Sequence, residues 1–279
     1  MTTADRQLSL LNPGAPPRPG ATDTAQVLLF NTQHAAPARA RRQVAWIAAQ
    51  DRADLVVLTE VSSTAGGGAL IQALTDHGYA TMLEPRPAAP DYRTVLASRT
   101  ATMRALPSTV EYLPHRAPAA AITIGGHTLG LLGLYVPSRG PKQRRNEAKR
   151  AFQEAVTAAL PALVKECGGL VIVAGDLNVV EPGHTPHHAV FGAWEYAFYD
   201  SFAAAGLTDA FRHLHPQAAD HSWFGRSGNG FRFDHAFVTT GHRDQITHCA
   251  YDHTPRREGL SDHAALTLTV RLTPREQPA

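Results

Sequence analysis

Acidic side chains stand at the ends of three predicted strands, and these residues are the best candidates for chemistry. Glu60 follows the apolar run Leu55–Thr59, Asp176 follows a second run at 170–175, and Asp262 lies just before the last apolar segment. Since strand ends converge on one crevice in open sheets, we expect these carboxylates to lie together. A buried carboxylate is costly unless a cation or another partner takes up its charge.

Each of these acidic residues, taken alone, also fits a helix cap or a turn, where aspartate is common. Their combination with Asn31 after the first strand and His263 beside Asp262 favours a shared site. Carboxylate and amide oxygens suit Mg²⁺ or Mn²⁺, and such ions chiefly serve phosphate chemistry. The pattern therefore predicts a hard-cation site used for a reaction at phosphorus.

Composition limits the class of protein that can hold this site. The chain has 279 residues, of which 43% are hydrophobic and 18% charged, and it contains only two cysteines. These values exclude a collagen, a long coiled coil and a disulfide scaffold, and they predict one large domain or two ordinary ones. The formal net charge of +2 permits a polyanionic partner without requiring one.

Targeting signals are also missing from the pattern. The first residues lack the basic and apolar regions of a signal peptide, and no apolar run reaches the length of a membrane span. We therefore expect a cytoplasmic enzyme that does not span a membrane and works as a monomer.

The elements that must position the site alternate between strands and helices. We expect a mobile tail at 1–24, one catalytic domain at 25–273 and a short tail at 274–279, because only the middle part has apolar periodicity. Gly125-Gly126 predicts a two-residue hairpin turn, and Pro161 predicts a kink or break in a helix from Gln143 to Glu166. Apolar runs of four predict strands that are covered on both faces. The fold class is therefore α/β, with parallel and antiparallel strands.

Several short motifs occur in an order that is typical of a known family. They are Leu29-Phe30-Asn31-Thr32-Gln33, Leu58-Thr59-Glu60, Gly175-Asp176-Leu177-Asn178, Phe231-Arg232-Phe233-Asp234-His235 and Leu260-Ser261-Asp262-His263. In this order they resemble the endonuclease/exonuclease/phosphatase superfamily from about Gln26 to Leu272. The segments at 206–212, 221–224 and 229–234 resemble the exonuclease III and abasic-site endonuclease branch.

The resemblance implies a four-layer α/β sandwich, in which two mixed β-sheets pack face to face with helices on both outer sides. It also implies a role for each matching residue. Glu60, Asn31 and Asp262 would bind Mg²⁺ (or Mn²⁺). Asp176 would orient or deprotonate the attacking water, and Asn178 would hold that water and a phosphate oxygen. His263 would contact the scissile phosphate, Asp234 would orient its imidazole, and Tyr135 would donate to the phosphate.

The resemblance further implies a set of substrate-binding side chains, namely Tyr92, Trp223, Phe231, Phe233, Arg139 and Arg144. The three aromatic residues at 223–233 would wall a pocket for a flipped-out sugar, although alternating aromatics fit core packing equally well. The basic residues between Arg139 and Arg150 would contact DNA phosphates, or they would form a solvated helix face. The His184–His188 stretch is interpreted as a polar loop, because it lacks the pattern of a zinc site.

The sequence also departs from this branch at defined positions. Gln33 stands where an acidic or amide residue is usual, Thr59 replaces the usual glutamine, and the Gly225–Gly228 turn is short. The short turn weakens the inference of abasic-site specificity more than that of phosphodiester hydrolysis.

The expected function is divalent-metal-dependent hydrolysis of DNA phosphodiesters, of the abasic-site endonuclease or 3′-exonuclease type. The alternative is a smaller phosphate ester, such as a phospholipid headgroup, an inositol phosphate or a nucleotide, which the modest net charge and the short turn favour. A nucleic-acid-binding protein without catalysis is disfavoured, because every position that the reaction needs has a suitable side chain.

Overall fold

The computed structural model describes residues 23–107, 110–139 and 143–272, without the side chains of 143–145. Its strands are β1 (Thr24–Asn31), β2 (Leu55–Ser62), β3 (Thr81–Leu83), β4 (Tyr92–Ser98), β5 (Thr102–Ala105), β6 (Ala119–Ile124), β7 (His127–Tyr135), β8 (Val171–Asp176), β9 (Leu207–Asp209), β10 (Trp223–Phe224), β11 (Gly230–Phe231), β12 (Asp234–Thr239), β13 (Ile246–Asp252) and β14 (Ala265–Arg271). Its α-helices are α1 (Pro37–Ala48), α2 (Ala65–Asp76), α3 (Gln143–Cys167), α4 (Ala193–Ala204), α5 (Ala210–Leu214) and α6 (Thr254–Arg257).

The strands form two six-stranded sheets and one small hairpin. The first sheet has the order β13-β14-β1-β2-β4-β3, the second has the order β5-β6-β7-β8-β12-β9, and β10 pairs with β11. Within the first sheet β1 and β2 are parallel, as are β7 and β8 within the second, whereas the other pairs are antiparallel. Both large sheets are therefore mixed.

Three apolar clusters separate four layers. Between the sheets, Leu29 and Val57 share a buried cluster with Ile172. Helices α1 and α2 cover the outer face of the first sheet, where Val44 and Leu70 are buried against the strands. Helices α3 and α4 cover the outer face of the second sheet through a third cluster, which contains Phe152, Phe198 and Phe202. The predicted four-layer sandwich is confirmed.

Glycine residues permit close approach and sharp turning at the centre of this fold. Gly125 and Gly126 both have positive φ, at 54° and 84°, and they close the hairpin between β6 and β7 where Ile124 pairs with His127. This is the two-residue turn that the sequence predicts. At Gly175 an added Cβ would lie 2.1 Å from the Leu134 carbonyl oxygen, so β7 and β8 approach each other more closely than any side chain would allow.

The structure differs from the sequence prediction at several elements. Helix α3 continues through Pro161 to Cys167, so the predicted break is wrong. Strands β5 and β13 and helix α4 were not predicted: β5 is largely exposed, and β13 has neither an apolar run of four residues nor a regular alternation. The predicted N-terminal tail lies outside the described residues up to residue 22, and β1 already begins at Thr24. The predicted tail at 274–279 also lies outside them.

Two further observations concern the helices and the cysteines. Among the helices of residues 23–107, 110–139 and 143–272, none combines the length and the apolar character that crossing a bilayer requires. Cys167 and Cys249 are both free thiols, and burial raises the pKa of each.

Candidate active site

Strand register brings polar side chains from both sheets to one place. In the second sheet Asp176, the last residue of β8, pairs with Tyr135 on β7 and with Asp234 on β12. In the first sheet Asn31 ends β1 beside the parallel strand β2, which carries Glu60. Because the carboxyl ends of parallel strands meet at one edge, both sheets present their polar residues there.

A hydrogen bond across the two sheets fixes the position of Asp176. Asn31 Nδ2 donates to Asp176 Oδ2 over 2.9 Å, and both side chains are buried. Asn31 is held in turn, because its Oδ1 accepts the Gln33 amide at 2.8 Å and its carbonyl accepts the Ser261 hydroxyl at 2.7 Å. The orientation of Asp176 therefore depends on the packing of one sheet on the other.

Asn178 completes the surroundings of Asp176. It has a positive φ of 49°, and its amide N–H donates to Asp176 Oδ1 at 2.9 Å. Its side-chain Nδ2 donates to the Val136 carbonyl at 2.9 Å and lies 3.4 Å from Asp176 Oδ2. Burial raises the pKa of Asp176, and the nearby carboxylates of Asp234 and Glu60 raise it further.

His263 and Asp234 form a buried pair next to Asp176. His263 Nδ1 lies 2.7 Å from Asp234 Oδ2, so the ring donates to the carboxylate through this nitrogen. Burial alone would lower the pKa of His263, but the charge and the hydrogen bond of Asp234 raise it to about 10. The imidazole is therefore a cation near neutral pH and can donate from its second nitrogen.

Two serine residues that the sequence analysis did not assign hold this pair in place. Ser222 Oγ accepts the backbone N–H groups of Phe233 and Asp234 at 3.0 and 3.1 Å. Ser261 Oγ accepts the N–H of His263 at 3.1 Å. Serine is common in loops for many reasons, so local sequence carries no signal for these contacts.

Glu60 lies at an irregularity in β2 and carries two contacts. Its backbone has a positive φ of 51°, and the register of β2 against β4 shifts between Leu58 and Val61. The Tyr135 hydroxyl donates to Glu60 Oε1 at 2.8 Å, and His34 Nδ1 lies 3.3 Å from Glu60 Oε2. Burial and the charge of Glu60 raise the pKa of Tyr135 well above its ordinary value, so Tyr135 stays a neutral donor.

The donor set fits a hard divalent cation. Ligand atoms of Asp176, Asp234 and His263 lie within 4.8 Å of one another, and Glu60 is close enough to raise the pKa of Asp176. Asp234 Oδ1 is buried and has no hydrogen-bond partner among the described residues. Crowded carboxylates and a buried oxygen without a partner are stabilised by a nearby positive charge, which a divalent cation held by carboxylate oxygens would supply, with the protonated His263 outside its ligand set.

Asp262 contacts an aromatic residue in this structure. Its side chain is exposed, and its Oδ2 accepts the indole N–H of Trp223 at 2.9 Å. Asp262 also helps to raise the pKa of His263, so it lies near that ring. Its expected role as a metal ligand therefore stays a prediction, with Trp223 as its contact in this structure.

The aromatic residues expected to bind substrate surround the same edge. Tyr92 stacks on His34 with ring centroids 5.2 Å apart. Trp223 on β10 pairs with Phe231 on β11 and forms an isolated β-bridge with His263. The ring centroids of Trp223 and Phe233 lie 5.6 Å apart. Trp223, Phe231 and Phe233 pack on one another, and their expected role in binding substrate stays a prediction.

The described basic side chains at 139–150 differ in their exposure. Lys149 is fully buried, which contradicts both interpretations of this cluster for that residue. Arg139 Nη1 lies 2.6 Å from Glu195 Oε2 and is one-third exposed. The side chain of Arg144 lies outside the described part of the chain, and its role stays a prediction.

A second buried charge network lies behind the start of β12. Arg232 is fully buried and pairs with Glu181 at 2.9 Å and with Asp209 at 2.8 Å. Arg212 adds a contact to Glu181, with its Nε 3.0 Å from Oε1. The network joins the loop after β8 to β9, α5 and the segment that leads into Asp234.

The His184–His188 stretch is a loop whose rings serve structural contacts. His184 Nδ1 lies 2.9 Å from the Pro186 carbonyl, and His188 Nε2 lies 2.9 Å from the Gly230 carbonyl. Within the described residues, the only group with metal-ligand spacing is Asp176, Asp234 and His263.

Comparison with known proteins supports the resemblance in sequence and in fold. A segment of 144 residues is 24% identical to an exodeoxyribonuclease of Bacillus subtilis (strain 168), covering 47% of this chain and 57% of that protein. The chain thus matches little more than half the length of that relative.

Solved structures match over most of the chain. A 3′-5′ exonuclease (NExo) from Neisseria meningitidis superposes with a TM-score of 0.73 at 20% identity, covering 88% of this chain and 99% of that one. An AP endonuclease from Archaeoglobus fulgidus gives 0.72 at 18% identity, covering 87% and 98%. A 3′ phosphatase NExo from Neisseria bound to product DNA hairpin gives 0.70 at 20% identity, covering 88% and 98%.

These identities show a shared fold, and the family match extends to the sequence. The sequence pattern of the Endonuclease/Exonuclease/phosphatase family matches residues 28–263, which include Asn31, Glu60, Asp176 and His263. The chain therefore belongs to the Endonuclease/Exonuclease/phosphatase family.

Proposed function

We propose that the protein is a divalent-metal-dependent phosphodiester hydrolase that acts on DNA, as an abasic-site endonuclease, a 3′-exonuclease or both. The observation that carries the proposal is the Asp176 carboxylate, fixed by Asn31 and Asn178 at 2.9 Å each and adjacent to the His263–Asp234 pair. The names of the structural neighbours, an exonuclease and an AP endonuclease, support DNA as the substrate class.

The residues have complementary tasks in such a reaction. Asp176 orients the attacking water and accepts its proton, because both of its oxygens lie within a fixed hydrogen-bond frame. His263, held as a cation by Asp234, donates to the scissile phosphate. The neutral Tyr135 hydroxyl, which donates to Glu60 in this structure, is a further donor to the phosphate when substrate is bound.

Glu60 and Asn31 are the proposed ligands of Mg²⁺ or Mn²⁺, and Asp262 is the third residue expected from the family resemblance. When bound, the ion supplies positive charge against the charge that grows on the phosphoryl oxygens. The protein groups mentioned above then align water and phosphate with each other.

Chelation and one substitution test this proposal. The substrates are labelled abasic duplex, nicked duplex, single-stranded DNA, RNA and a small phosphodiester, each with Mg²⁺ or with excess EDTA. We expect DNA cleavage that EDTA abolishes and that Asp176→Asn lowers by about 10²–10⁴-fold, which is the usual contribution of a general base. Asp244→Asn is the control, because Asp244 is 89% exposed.

Two results would contradict the proposal. DNA cleavage that persists in excess EDTA would exclude the metal-dependent reaction. Turnover of the small phosphodiester without cleavage of any oligonucleotide would replace DNA by a smaller phosphate ester as the substrate.

A further inference from the structure

A buried lysine lies directly behind Asn178. Lys149 on α3 is fully buried, and its Nζ donates to the Asn178 carbonyl at 2.8 Å and to Glu195 Oε1 at 2.5 Å. Glu195 on α4 is also fully buried, and its Oε2 accepts from Arg139 at 2.6 Å and from the Gly192 N–H at 2.9 Å. The ammonium is therefore held between a helix and the loop that follows Asp176.

The Lys149–Glu195 ion pair is not required merely to hold α3 and α4 together. A buried ion pair is a weak source of stability, because the cost of removing two charges from water offsets much of their attraction. An apolar pair would join α3 and α4 as well. The contact that an apolar pair cannot make is the one from Lys149 to the Asn178 carbonyl.

The backbone of Asn178 has a conformation that requires stabilising contacts. Its φ of 49° lies in the left-handed region, which non-glycine residues adopt at a cost. The same residue presents its N–H to Asp176 Oδ1 and its side-chain Nδ2 to the Val136 carbonyl. Because this carbonyl, the N–H and the side chain all belong to Asn178, a shift of its backbone would disturb both the side-chain amide and the N–H that holds the Asp176 carboxylate.

We propose that Lys149 is a positioning residue, which fixes the backbone of Asn178 through its carbonyl while Glu195 holds the ammonium in place. The inference rests on the proposed function of Asp176 and Asn178. Lys149 touches neither substrate nor the reacting atoms, and it acts through the orientation of Asn178.

The test uses a variant that removes the contact without leaving a buried charge unpaired. Lys149→Met combined with Glu195→Gln neutralises the pair and keeps an oxygen at 195 for the Gly192 N–H. Lys165→Met on the same helix is the matched control, because Lys165 is exposed. Should the double variant not fold in thermal unfolding, Lys149→Gln combined with Glu195→Gln gives the same test with an uncharged polar pair, since the glutamine side chain is one atom shorter and falls short of the Asn178 carbonyl.

Steady-state kinetics on DNA with Mg²⁺ is the first readout. We expect the double variant to lower kcat by about 10–100-fold with KM within about threefold, because an orientation is lost rather than substrate binding. Lys149→Arg, which keeps a donor, should recover most of kcat. In an Asn178→Ala background the double variant should lower kcat by a smaller factor than in the wild type, since the side chain to be oriented is gone and only the N–H that holds Asp176 remains. An unchanged kcat, or a full loss in that background, would overturn the proposal.

The second readout needs neither activity nor metal. In the metal-free protein, NMR signals of the Asn178 side-chain amide, assigned by their loss in Asn178→Ala, should shift and broaden in the double variant and stay unchanged in Lys165→Met. Unchanged Asn178 signals in the double variant would contradict the positioning role. A wild-type protein that cleaves no DNA would instead contradict the proposed function, while this readout still decides the role of Lys149.

Discussion

His263 lies between two acidic residues whose charges act on it differently. Asp234 accepts its Nδ1–H at 2.7 Å and is buried, whereas Asp262 is exposed and bonded to Trp223. The charge state of the imidazole is therefore governed mainly by Asp234, whose charge and hydrogen bond raise the pKa of His263 more than any other residue does. The proton on His263 is thus a property of the pair rather than of the ring alone.

Asp234→Asn should remove most of this effect. The pKa of His263 should fall from about 10 toward the ordinary histidine value of about 6.5, so the ring becomes largely neutral above neutral pH. We expect kcat at pH 8 to fall by roughly 10²–10⁴-fold and to recover in part at lower pH. The measurements are an NMR titration of His263, assigned with His263→Ala, and a pH profile of kcat.

A second histidine–aspartate pair provides the control. His253 Nε2 lies 2.8 Å from Asp220 Oδ1, and both side chains are partly exposed. Asp220→Asn should leave kcat and its pH profile unchanged. If Asp234→Asn left the pKa of His263 near 10, the assignment of its cause would be wrong.

At the scale of elements, the sheets are the part that sequence predicts best. The apolar runs in β1, β2 and β8 are buried on both faces, and a run of four or more apolar residues indicates such a strand directly. Strand β5 is mostly exposed and β13 contains no apolar run of that length, so neither carries this signal. Helix α4 has few charged residues, so its sequence does not show which face is polar. In the structure, the contact between Gly192 and Glu195 marks the start of the helix.

The same limit applies to the site. Asn31, Glu60, Asp176 and His263 were predictable, because each stands at a strand end or beside a strand start, in a motif of the family. The pairing of Lys149 with Glu195 could not be predicted, because 46 residues separate them and nothing in the local sequence indicates that either is buried. The Lys149 position also lies in a run of basic residues, where solvated side chains are the rule.

The close approach of β7 and β8 should be sensitive to one methyl group. In Gly175→Ala the new Cβ would lie 2.1 Å from the Leu134 carbonyl oxygen, so one backbone must move. Since Asp176 is the next residue and pairs with Tyr135, we expect a loss of about 1–3 kcal/mol in the free energy of unfolding and a clearly lower kcat. Urea unfolding and steady-state kinetics measure the two effects.

Gly68→Ala is the matched control for this substitution. Gly68 is exposed in α2, and an added Cβ would meet nothing within 4 Å. The variant should be stabilised by about 0.5–1 kcal/mol, because alanine favours a helix, with kcat unchanged. Equal stability of Gly175→Ala and wild type would show that the strands can separate without cost.

For the whole molecule, the Arg232 network should control stability in acid. Burial would raise the pKa of Glu181, but the charges of Arg232 and His235 and a hydrogen bond from Arg212 lower it to about 2. A carboxylate with a lowered pKa in the folded state stabilises that state above its unfolded pKa, near 4.5. This stabilisation is lost as the pH falls from about 4.5 through about 2.

Glu181→Gln should therefore flatten the acid limb of the stability curve. We expect the variant to lose roughly 2–4 kcal/mol of unfolding free energy at pH 7, because Arg232 keeps only Asp209 as a charged partner, and to lose less at pH 3. Urea unfolding between pH 2.5 and 7 measures this, with Glu154→Gln as an exposed control. A loss of the same size at every pH would contradict the assigned cause.

The bond between Asn31 and Asp176, like that between Tyr135 and Glu60, crosses the boundary between two sheets whose interface is largely apolar, and apolar contacts have no preferred direction. Apolar surfaces tolerate a slide of one layer over the other, but a polar contact of 2.9 Å does not survive a slide of one residue, which is about 3.3 Å along a strand. Hydrolysis should consequently stop while most secondary structure is still intact. During gradual denaturation, loss of catalytic activity would therefore precede the loss of secondary structure.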